Sequence, residues 1–519
     1  MPQHPATPPQ RGQNRPRSET PESRADRRSR EIQNAHDVRN AYRFTGISAL
    51  LPGLGLVFTR RRTLGLIMSL AAVVVLLLAA YSLLSGGVIS GAARFLTARG
   101  LFILLTLFVV GGLLWVLGIM LTAQETRKDG WSMRTVWWHR GFAALLCLVV
   151  ATPAAIGANY VLITRDAFSR MSQDRFEGRG GTSNLPAQGG EDPWRNVPRV
   201  NMLLIGSDAG AGRFKIRADT VMFVSIDTRS GDTTLVSLPR NLQNVPFPKD
   251  NPLHKKYPDG YNCGNECILD AVWTEAGVNE RELFPKNEKN PGLNTTREVV
   301  EEVVGQPIDY TTVVNLQGFE QLVNAIGGVR VNVPEKLPIG GKVENGVVIP
   351  GSIKGYLKPG DRKLNGYDAL WYARSRALSS DYDRTRRQRC MVNALVSQAS
   401  PTTLLQKFPG IMSAAGDNIT FDIPQDYLPA FATLAQTMKK GNMRSVNLSP
   451  PTINTGNPDY DKIRTLVKKG IETPHDSKAP KSKGSAKPKP KPKAKATTDA
   501  AEPSTSTSEK PIDDTRASC

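Results

Sequence analysis

The stretch Val200–Arg240 reads VNMLLIGSDAGAGRFKIRADTVMFVSIDTRSGDTTLVSLPR and contains three short apolar runs separated by polar turns. Runs of this length between Gly, Asp, Ser and Pro are typical of β-strands, and here they span Val200–Ile205, Thr220–Ile226 and Thr233–Leu238. The turn DTRSGD predicts that the second and third strands form a hairpin. If the first two strands are also antiparallel, the end of the first lies beside the start of the second. The stretch therefore predicts the centre of a β-sheet.

Two aspartates lie at that expected meeting point. Asp208 follows the first strand and Asp219 precedes the second, so antiparallel pairing would bring their carboxylates together. An Asp at a strand end is commonly a turn or capping residue. Two carboxylates at one sheet end also suit Mg²⁺ (or Mn²⁺), since Mg²⁺ commonly takes one or two carboxylates plus phosphate oxygens and water. We expect Asp208 and Asp219 to be metal ligands.

A second stretch, Ala369–Gln388 (ALWYARSRALSSDYDRTRRQ), is rich in arginine and begins with an apolar, aromatic run. Arginine carries a permanent charge and a planar fork of donors that fits a phosphate group. Arg384 and Gln388 share one face of a predicted helix because they are four residues apart, and Arg374 and Arg376 precede that helix. A solvated basic helix face is the competing interpretation. We expect this stretch to form one diphosphate and metal site together with Asp208, Arg217, Asp219 and Arg240.

Strands and helices alternate through the rest of this region, which predicts an α/β fold. Predicted helices span about Cys267–Ala276, Thr296–Val304, Gly318–Ile326 and Gln425–Met438, and further predicted strands span Tyr310–Leu316 and Val329–Val333. We assign residues 199–470 to one folded domain, preceded by a polar stem at residues 164–198.

The two ends of the 519-residue chain differ in composition from this domain. Residues 1–43 form an Arg-rich arm, and residues 471–519 form a Lys- and Pro-rich tail. Both contain few residues that could be buried, so we expect them to be disordered. Much of the net charge of +20 belongs to these ends, and it therefore does not indicate a nucleic-acid-binding domain.

Three apolar runs between the arm and the stem are long enough to cross a bilayer, at about Leu64–Leu84, Leu101–Leu121 and Phe142–Ile163. A shorter run, Phe44–Phe58, is interrupted by Pro52 and is interpreted as an interfacial or re-entrant piece of the membrane region 44–163. Arginine is concentrated before the first span, so the positive-inside rule places the N-terminus in the cytoplasm. Three spans then place the folded domain outside the cell, which excludes genomic DNA and cytoplasmic ATP as partners.

Cys263 and Cys267, in the segment YNCGNEC, are close enough in sequence for a local disulfide if the backbone turns between them. A disulfide fits an oxidising exterior. A zinc site is the alternative, but His254 is the only histidine nearby.

Six motifs occur in order within Val200–Lys468: NMLLIGSD, RADTVMFVSID, VSLPR, GFEQLVNAIGGV, LNGYDALWYARSR and DYDRTRRQ. Together they resemble the LytR-CpsA-Psr family, and NPGL at Asn290–Leu293 is similar to its actinobacterial branch. The sequence departs from the family pattern twice. A Lys-Ile-Asn step that often follows the arginine loop has its nearest match in the segment HKK at residues 254–256, and three spans replace the usual one.

The resemblance implies a membrane-anchored phosphotransferase with an α/β/α ectodomain around a central mixed β-sheet. Such proteins move a glycopolymer from a polyprenyl diphosphate onto peptidoglycan through a phosphodiester. The resemblance implies that Asp208 and Asp219 hold Mg²⁺ and that an apolar tunnel opening toward the membrane lipid takes the prenyl chain. The diphosphate would be held by Arg217, Arg240, Arg374, Arg376, Arg384 and Gln388.

Phosphoryl-type transfer depends mainly on positioning and on charge neutralisation. We expect Arg240 and the metal to be the main electrostatic catalysts, and Asp219 or Asp381 to be the base for the acceptor hydroxyl. A Ser-His-Asp triad has almost no candidate, because only two histidines follow the spans. The same arginines would also serve a non-catalytic receptor or scaffold for lipid-linked wall precursors, or a polyprenyl-diphosphate hydrolase.

Overall fold

The computed structural model describes residues 21–84, 88–172, 185–186, 192–207, 217–344, 347–398, 411, 418–473, 511–515 and 519. The chain forms two compact units. One unit, here called the membrane unit, combines Met1–Tyr81 with Leu105–Ala158. The other, the ectodomain unit, combines Ser82–Leu104 with Asn159–Cys519.

The N-terminal part of the described chain is helical, with α1 (Pro21–Ser48), α2 (Arg62–Leu84), α3 (Val88–Arg94), α4 (Ala98–Thr106), α5 (Gly112–Glu125) and α6 (Met133–Ser172). A π-helical turn at Leu107–Gly111 joins α4 and α5 into one long helix. Within the described residues, three helices are long and apolar enough to cross a membrane: Arg62–Leu84, Ala98–Glu125 and Met133–Ser169. The stretch after Pro52 forms only a 3-10 turn, Leu54–Phe58, which is too short to cross a bilayer.

The prediction that residues 1–43 are disordered is wrong from Pro21 onward, where α1 begins. Proline fits the first position of a helix, and no further proline follows it within α1. The helix is rich in Arg, Ala and Gln, which have high helix propensity. Residues 28–36 are exposed, so the composition correctly indicated a segment that buries little. It did not exclude an exposed helix. Residues 1–20 lie outside the described residues.

The described strands of the ectodomain are β1 (Arg199–Ser207), β2 (Ala218–Asp227), β3 (Thr233–Leu238), β4 (Tyr310–Asn315), β5 (Val329–Val333), β6 (Leu337–Gly340), β7 (Val343–Glu344), β8 (Val347–Val348), β9 (Ile353–Leu357), β10 (Gly360–Leu364), β11 (Ile419–Phe421), β12 (Met443–Asn447) and β13 (Ile512–Asp514). A seven-stranded mixed sheet has the order β11-β4-β1-β2-β3-β12-β13. The strands β1, β2 and β3 are antiparallel neighbours, while β1–β4 and β3–β12 are parallel pairs. The central sheet and the hairpin predicted from Val200–Arg240 are therefore confirmed.

Helices cover both faces of this sheet, which gives the predicted α/β/α arrangement. The ectodomain helices are α7 (Val272–Thr274), α8 (Pro291–Val304), α9 (Leu316–Ala325), α10 (Gly366–Arg374), α11 (Asp381–Gln398), α12 (Leu428–Lys440) and α13 (Tyr460–Glu472). On one face, Val299 of α8 and Ile463 of α13 belong to a core cluster with Phe223 of β2. On the other, Leu434 of α12 belongs to a cluster with Met222. Adjacent residues of β2 thus face opposite layers, as the pleat requires.

The prediction of a disordered tail at residues 471–519 is wrong at both of its ends. Helix α13 continues to Glu472, and β13 pairs antiparallel with β12 through the register Val446↔Ile512. Cys519 forms a disulfide with Cys390 of α11. The composition of the segment is dominated by Lys and Pro, and this hid the short apolar and cysteine signals at its end. Residues 474–510 lie outside the described residues.

Candidate functional site

Arg240 lies directly after β3, where Pro239 ends the strand. Its Nη1 donates a hydrogen bond to Asp219 Oδ1 at 2.9 Å. The antiparallel pairing of β2 and β3 explains this contact, because Val221 of β2 lies opposite Leu238 of β3. The start of β2 and the end of β3 therefore meet at one edge of the sheet, and β1 ends beside them through the pair Gly206↔Thr220. The predicted meeting point exists.

The arginine-rich stretch reaches the same edge through the N-terminus of α11. Asp381 opens this helix, and its Oδ1 contacts three guanidinium groups: Arg384 at 3.1 Å, Arg240 at 3.6 Å and Arg376 at 3.6 Å. Arg384 also donates to the backbone oxygen of Asp219 at 3.4 Å. Two stretches separated by more than a hundred residues thus form one cluster of alternating charges.

Burial lowers the pKa of Arg384 to about 10, and the charge of Asp381 opposes this shift. The guanidinium group nevertheless stays charged at neutral pH. Its Nε is buried and lacks a hydrogen-bond partner in the described structure. A buried cation with an unused donor has hydrogen-bonding capacity for an anionic ligand.

Asp270, which the sequence did not single out, also belongs to this cluster. It is fully buried, and its Oδ2 lies 3.7 Å from Arg240 Nη1 and 3.9 Å from Arg217 Nη1. Burial raises the pKa of its carboxyl to about 6, although both arginines favour the charged form. The available sequence signal was a single acid inside the otherwise apolar run CILDAVW.

Other predicted residues have different surroundings. Arg217 is half-exposed and lies 3.6 Å from Glu266. Arg374 places its guanidinium carbon 5.1 Å from the centroid of the Trp371 ring. The Nε2 of Gln388 donates to the backbone oxygen of Ala373 at 3.3 Å. The described contacts therefore place Arg217 beside the cluster and describe Arg374 and Gln388 through neighbours on α10.

Metal binding by this edge rests on Asp219, because Asp208 lies outside the described residues. The Asp219 side chain is 34% exposed, so a hydrated cation can reach it. Among the described residues, no group of three or more His, Cys, Asp or Glu side chains is arranged to hold a metal ion. Mg²⁺ needs only one or two carboxylates when phosphate oxygens and water complete its shell. The chemistry of Asp219 fits Mg²⁺, and Arg240 would then share this carboxylate with the ion.

The cysteine pair beside the site forms the predicted local disulfide, Cys263–Cys267, with a Cα–Cα distance of 5.3 Å. This bond answers the zinc alternative, since both thiols are used. The predicted apolar tunnel stays a prediction. Of the two cavities that we describe, one lies around Val278 and Phe284 and the other around Asp250 and Arg464, away from Arg240.

Comparison with known proteins agrees with this architecture. The profile of the LytR_cpsA_psr family matches residues 191–469. The chain is 26% identical over 211 residues to "Polyisoprenyl-teichoic acid--peptidoglycan teichoic acid transferase TagV" of Bacillus subtilis, which covers 40% of this chain and 46% of that protein. It is 24% identical over 318 residues to the TagU transferase of Oceanobacillus iheyensis, covering 60% of this chain and 85% of that protein.

Solved structures of similar proteins include B. subtilis TagV, with 24% identity and a TM-score of 0.37, covering 53% of this chain and 98% of that one. TagT bound to LIIa-WTA has 19% identity and a TM-score of 0.37, covering 56% of this chain and 98% of that one. The chain spans a little under half the length of the TagV protein that it matches. Because the family profile covers more than half of its residues, the chain belongs to the LytR_cpsA_psr family.

Proposed function

We propose that this protein is a membrane-anchored phosphotransferase that transfers a glycopolymer from a polyprenyl-diphosphate carrier to peptidoglycan. The observation that carries the proposal is the convergence of Arg217, Arg240, Arg376 and Arg384 at one sheet edge. Guanidinium groups at this density match the charge and geometry of a diphosphate. The printed names of the similar TagV and TagU proteins describe the same class of transfer.

In the proposed reaction, an acceptor hydroxyl oxygen forms a bond to the phosphorus that carries the glycan. The bond from that phosphorus to the bridging oxygen breaks, and polyprenyl phosphate leaves. Arg240 and Arg384 neutralise the charge that develops on the phosphate oxygens, which is the main requirement of such transfers. The hydroxyl proton passes to a carboxylate, either Asp219 or Asp381, both of which are partly exposed. A bound Mg²⁺ at Asp219 would supply further positive charge to the diphosphate.

The proposed location is the cell membrane, with the N-terminus in the cytoplasm and the catalytic domain outside. Arg60, Arg61 and Arg62 precede the first span, which supports a cytoplasmic start. The connection between the first and second spans belongs to the ectodomain unit. There, Gln425 Nε2 donates to the backbone oxygen of Leu96 at 2.7 Å. This contact supports a connection on the same side of the membrane as the catalytic domain.

An Arg240→Ala variant tests the function. Removal of one charge-stabilising group lowers kcat by about 10²–10³-fold in comparable sites, and we expect a loss of that size in kcat/KM. The assay uses the purified full chain in lipid nanodiscs, a polyprenyl-diphosphate glycan and peptidoglycan, with product analysis by mass spectrometry. Arg330→Ala is the control, because Arg330 is an exposed residue paired with Asp361.

Each alternative predicts a different product pattern in the same assay. A hydrolase would release a glycan phosphate at the same rate with or without peptidoglycan. A receptor or scaffold would bind the carrier and give no product with either the wild-type or the Arg240→Ala chain. Either result would overturn the transferase proposal.

A further inference from the structure

Asp270 is held in a fixed position relative to Arg240 by the backbone. The amide of Asp270 donates to the backbone oxygen of Arg240 at 3.0 Å, and the amide of Leu269 donates to Leu242 O at 2.9 Å. A 3-10 turn at Leu269–Ala271 then leads into α7. The carboxylate therefore starts from a rigid backbone directly beneath the arginine cluster.

The surroundings of this carboxylate are unfavourable for folding alone. Both oxygens of Asp270 are buried and lack a hydrogen-bond partner in the described structure. Burial of a carboxylate costs several kcal/mol, which ion pairs near 4 Å only partly offset. Replacement of such a charge by a neutral side chain of similar shape is often neutral or stabilising. A role in the site explains the charge better than a role in stability does.

Asp270 is also the carboxylate that contacts both Arg217 and Arg240 in the described ion pairs. Two guanidinium groups that bind one diphosphate repel each other before the ligand arrives. A negative charge between them offsets this repulsion. The other acidic partner of Arg217 is Glu266, whose side chain is 89% exposed and is therefore a weak anchor.

The other carboxylates around Arg240 cannot provide a constant anchor. Asp219 and Asp381 are both partly exposed, so a ligand that enters the site can displace or recruit them. If Asp219 turns to a metal ion, Arg240 loses its 2.9 Å hydrogen bond. Asp270 has no access to solvent, and its charge stays behind Arg240 throughout.

We propose that Asp270 is a positioning residue, a buried counter-charge that holds the guanidinium groups of Arg217 and Arg240 side by side for the diphosphate. This inference rests on the proposed function for its catalytic consequence, but the arrangement of the two arginines can be measured separately. Asp270 itself does not contact the substrate.

The test is an Asp270→Asn variant of the full chain in nanodiscs. We expect kcat for glycan transfer to fall by about tenfold or more, which corresponds to about 1.4 kcal/mol in the barrier. The dissociation constant for inorganic pyrophosphate, measured by calorimetry, changes by less than about threefold, because the variant loses negative charge while both arginines remain. The melting temperature stays equal to that of the wild type or rises.

The matched control is Asp309→Asn. Asp309 is also fully buried, but its carboxylate accepts a hydrogen bond from the amide of Asn201 at 2.8 Å. Asn201 lies near the start of β1, at the opposite end of the sheet from the site. We expect this control to lower the melting temperature and to leave kcat unchanged. If Asp270→Asn behaves like the control, Asp270 is a structural residue and the proposal is wrong.

A readout that needs no activity separates this proposal from the proposed function. Phenylglyoxal modifies guanidinium groups, and peptide mapping gives its rate at each arginine. We expect faster modification of Arg217 and Arg240 in Asp270→Asn, with no change at the exposed Arg330. Unchanged rates at all three arginines would overturn the positioning role. A wild-type chain without transfer activity would overturn the proposed function alone.

Discussion

Arg384 and Arg387 lie one helical turn apart on α11, and both are buried, but their contacts differ in kind. Arg387 donates its Nε to Tyr372 O at 2.9 Å and its Nη2 to the backbone oxygen of Ser375. These bonds hold the segment between α10 and α11. Arg384 instead contacts Asp381 and the backbone of Asp219, at the edge of the sheet. A buried arginine that is bonded to backbone oxygens is structural, whereas one that faces carboxylates at a sheet edge is a candidate for the site.

Asp422 predicts a pH dependence of stability at the level of one residue. Burial raises the pKa of its carboxyl from the ordinary 3.8 to about 6, although the amide of Thr311 donates to it at 2.7 Å and Arg297 lies 3.5 Å away. The folded chain therefore binds this proton more tightly than the unfolded chain does. The resulting stabilisation is present at low pH and is lost as pH rises from about 4 to 6.

An Asp422→Asn variant keeps the neutral form at every pH. We expect its free energy of unfolding, relative to that of the wild type, to increase by about 2 kcal/mol between pH 4.5 and pH 7.5. Melting temperatures of the two purified chains at both pH values measure this difference. An identical offset at the two pH values would show that Asp422 does not titrate in this range.

The turn closed by Cys263–Cys267 is the element that carries the acidic partners of Arg217. Glu266 lies within this turn, and Ile268 forms an isolated β-bridge with Gln243. In a Cys263→Ser/Cys267→Ser variant, we expect a stability loss of about 2 kcal/mol, as for a short closed loop. We also expect a higher KM for the polyprenyl diphosphate, because Arg217 loses its fixed partners. Cys147→Ser, which removes the free cysteine, is the control and should match the wild type in both measurements.

The strands around the site were predictable because β1, β2 and β3 are short apolar runs bounded by turn residues. Their pairing then placed Asp219 and Arg240 at one edge without further information. Asp270 was not predictable in this way, since its position depends on backbone bonds between two irregular segments. Helix α8 shows a boundary error of the same origin. The capping pattern at Thr295 predicted a start at Thr296, but the helix begins at Pro291, where proline fits the first turn.

The distribution of disulfides over the whole molecule bears on the location of the two units. Cys263–Cys267 and Cys390–Cys519 both lie in the ectodomain unit, and the free Cys147 lies in the membrane unit. Disulfides persist in oxidising compartments and are rare in the cytoplasm. The second bond joins residues that are 129 positions apart, so it constrains the unfolded chain more than the first does. It also connects the C-terminal strand β13 to the helix that carries Arg384.

The proposed orientation therefore predicts the number of free thiols in the chain produced in its native membrane. We expect one maleimide-reactive thiol per chain after denaturation without reductant, at Cys147, because an external ectodomain oxidises its four other cysteines. After reduction, the number should rise to five. Mass spectrometry of polyethylene-glycol maleimide adducts measures both numbers, and a Cys147→Ser chain should give none before reduction. Five thiols before reduction would place the ectodomain in the cytoplasm and reverse the assigned topology. Three would show that one of the two disulfides does not form, and peptide mapping would identify which one.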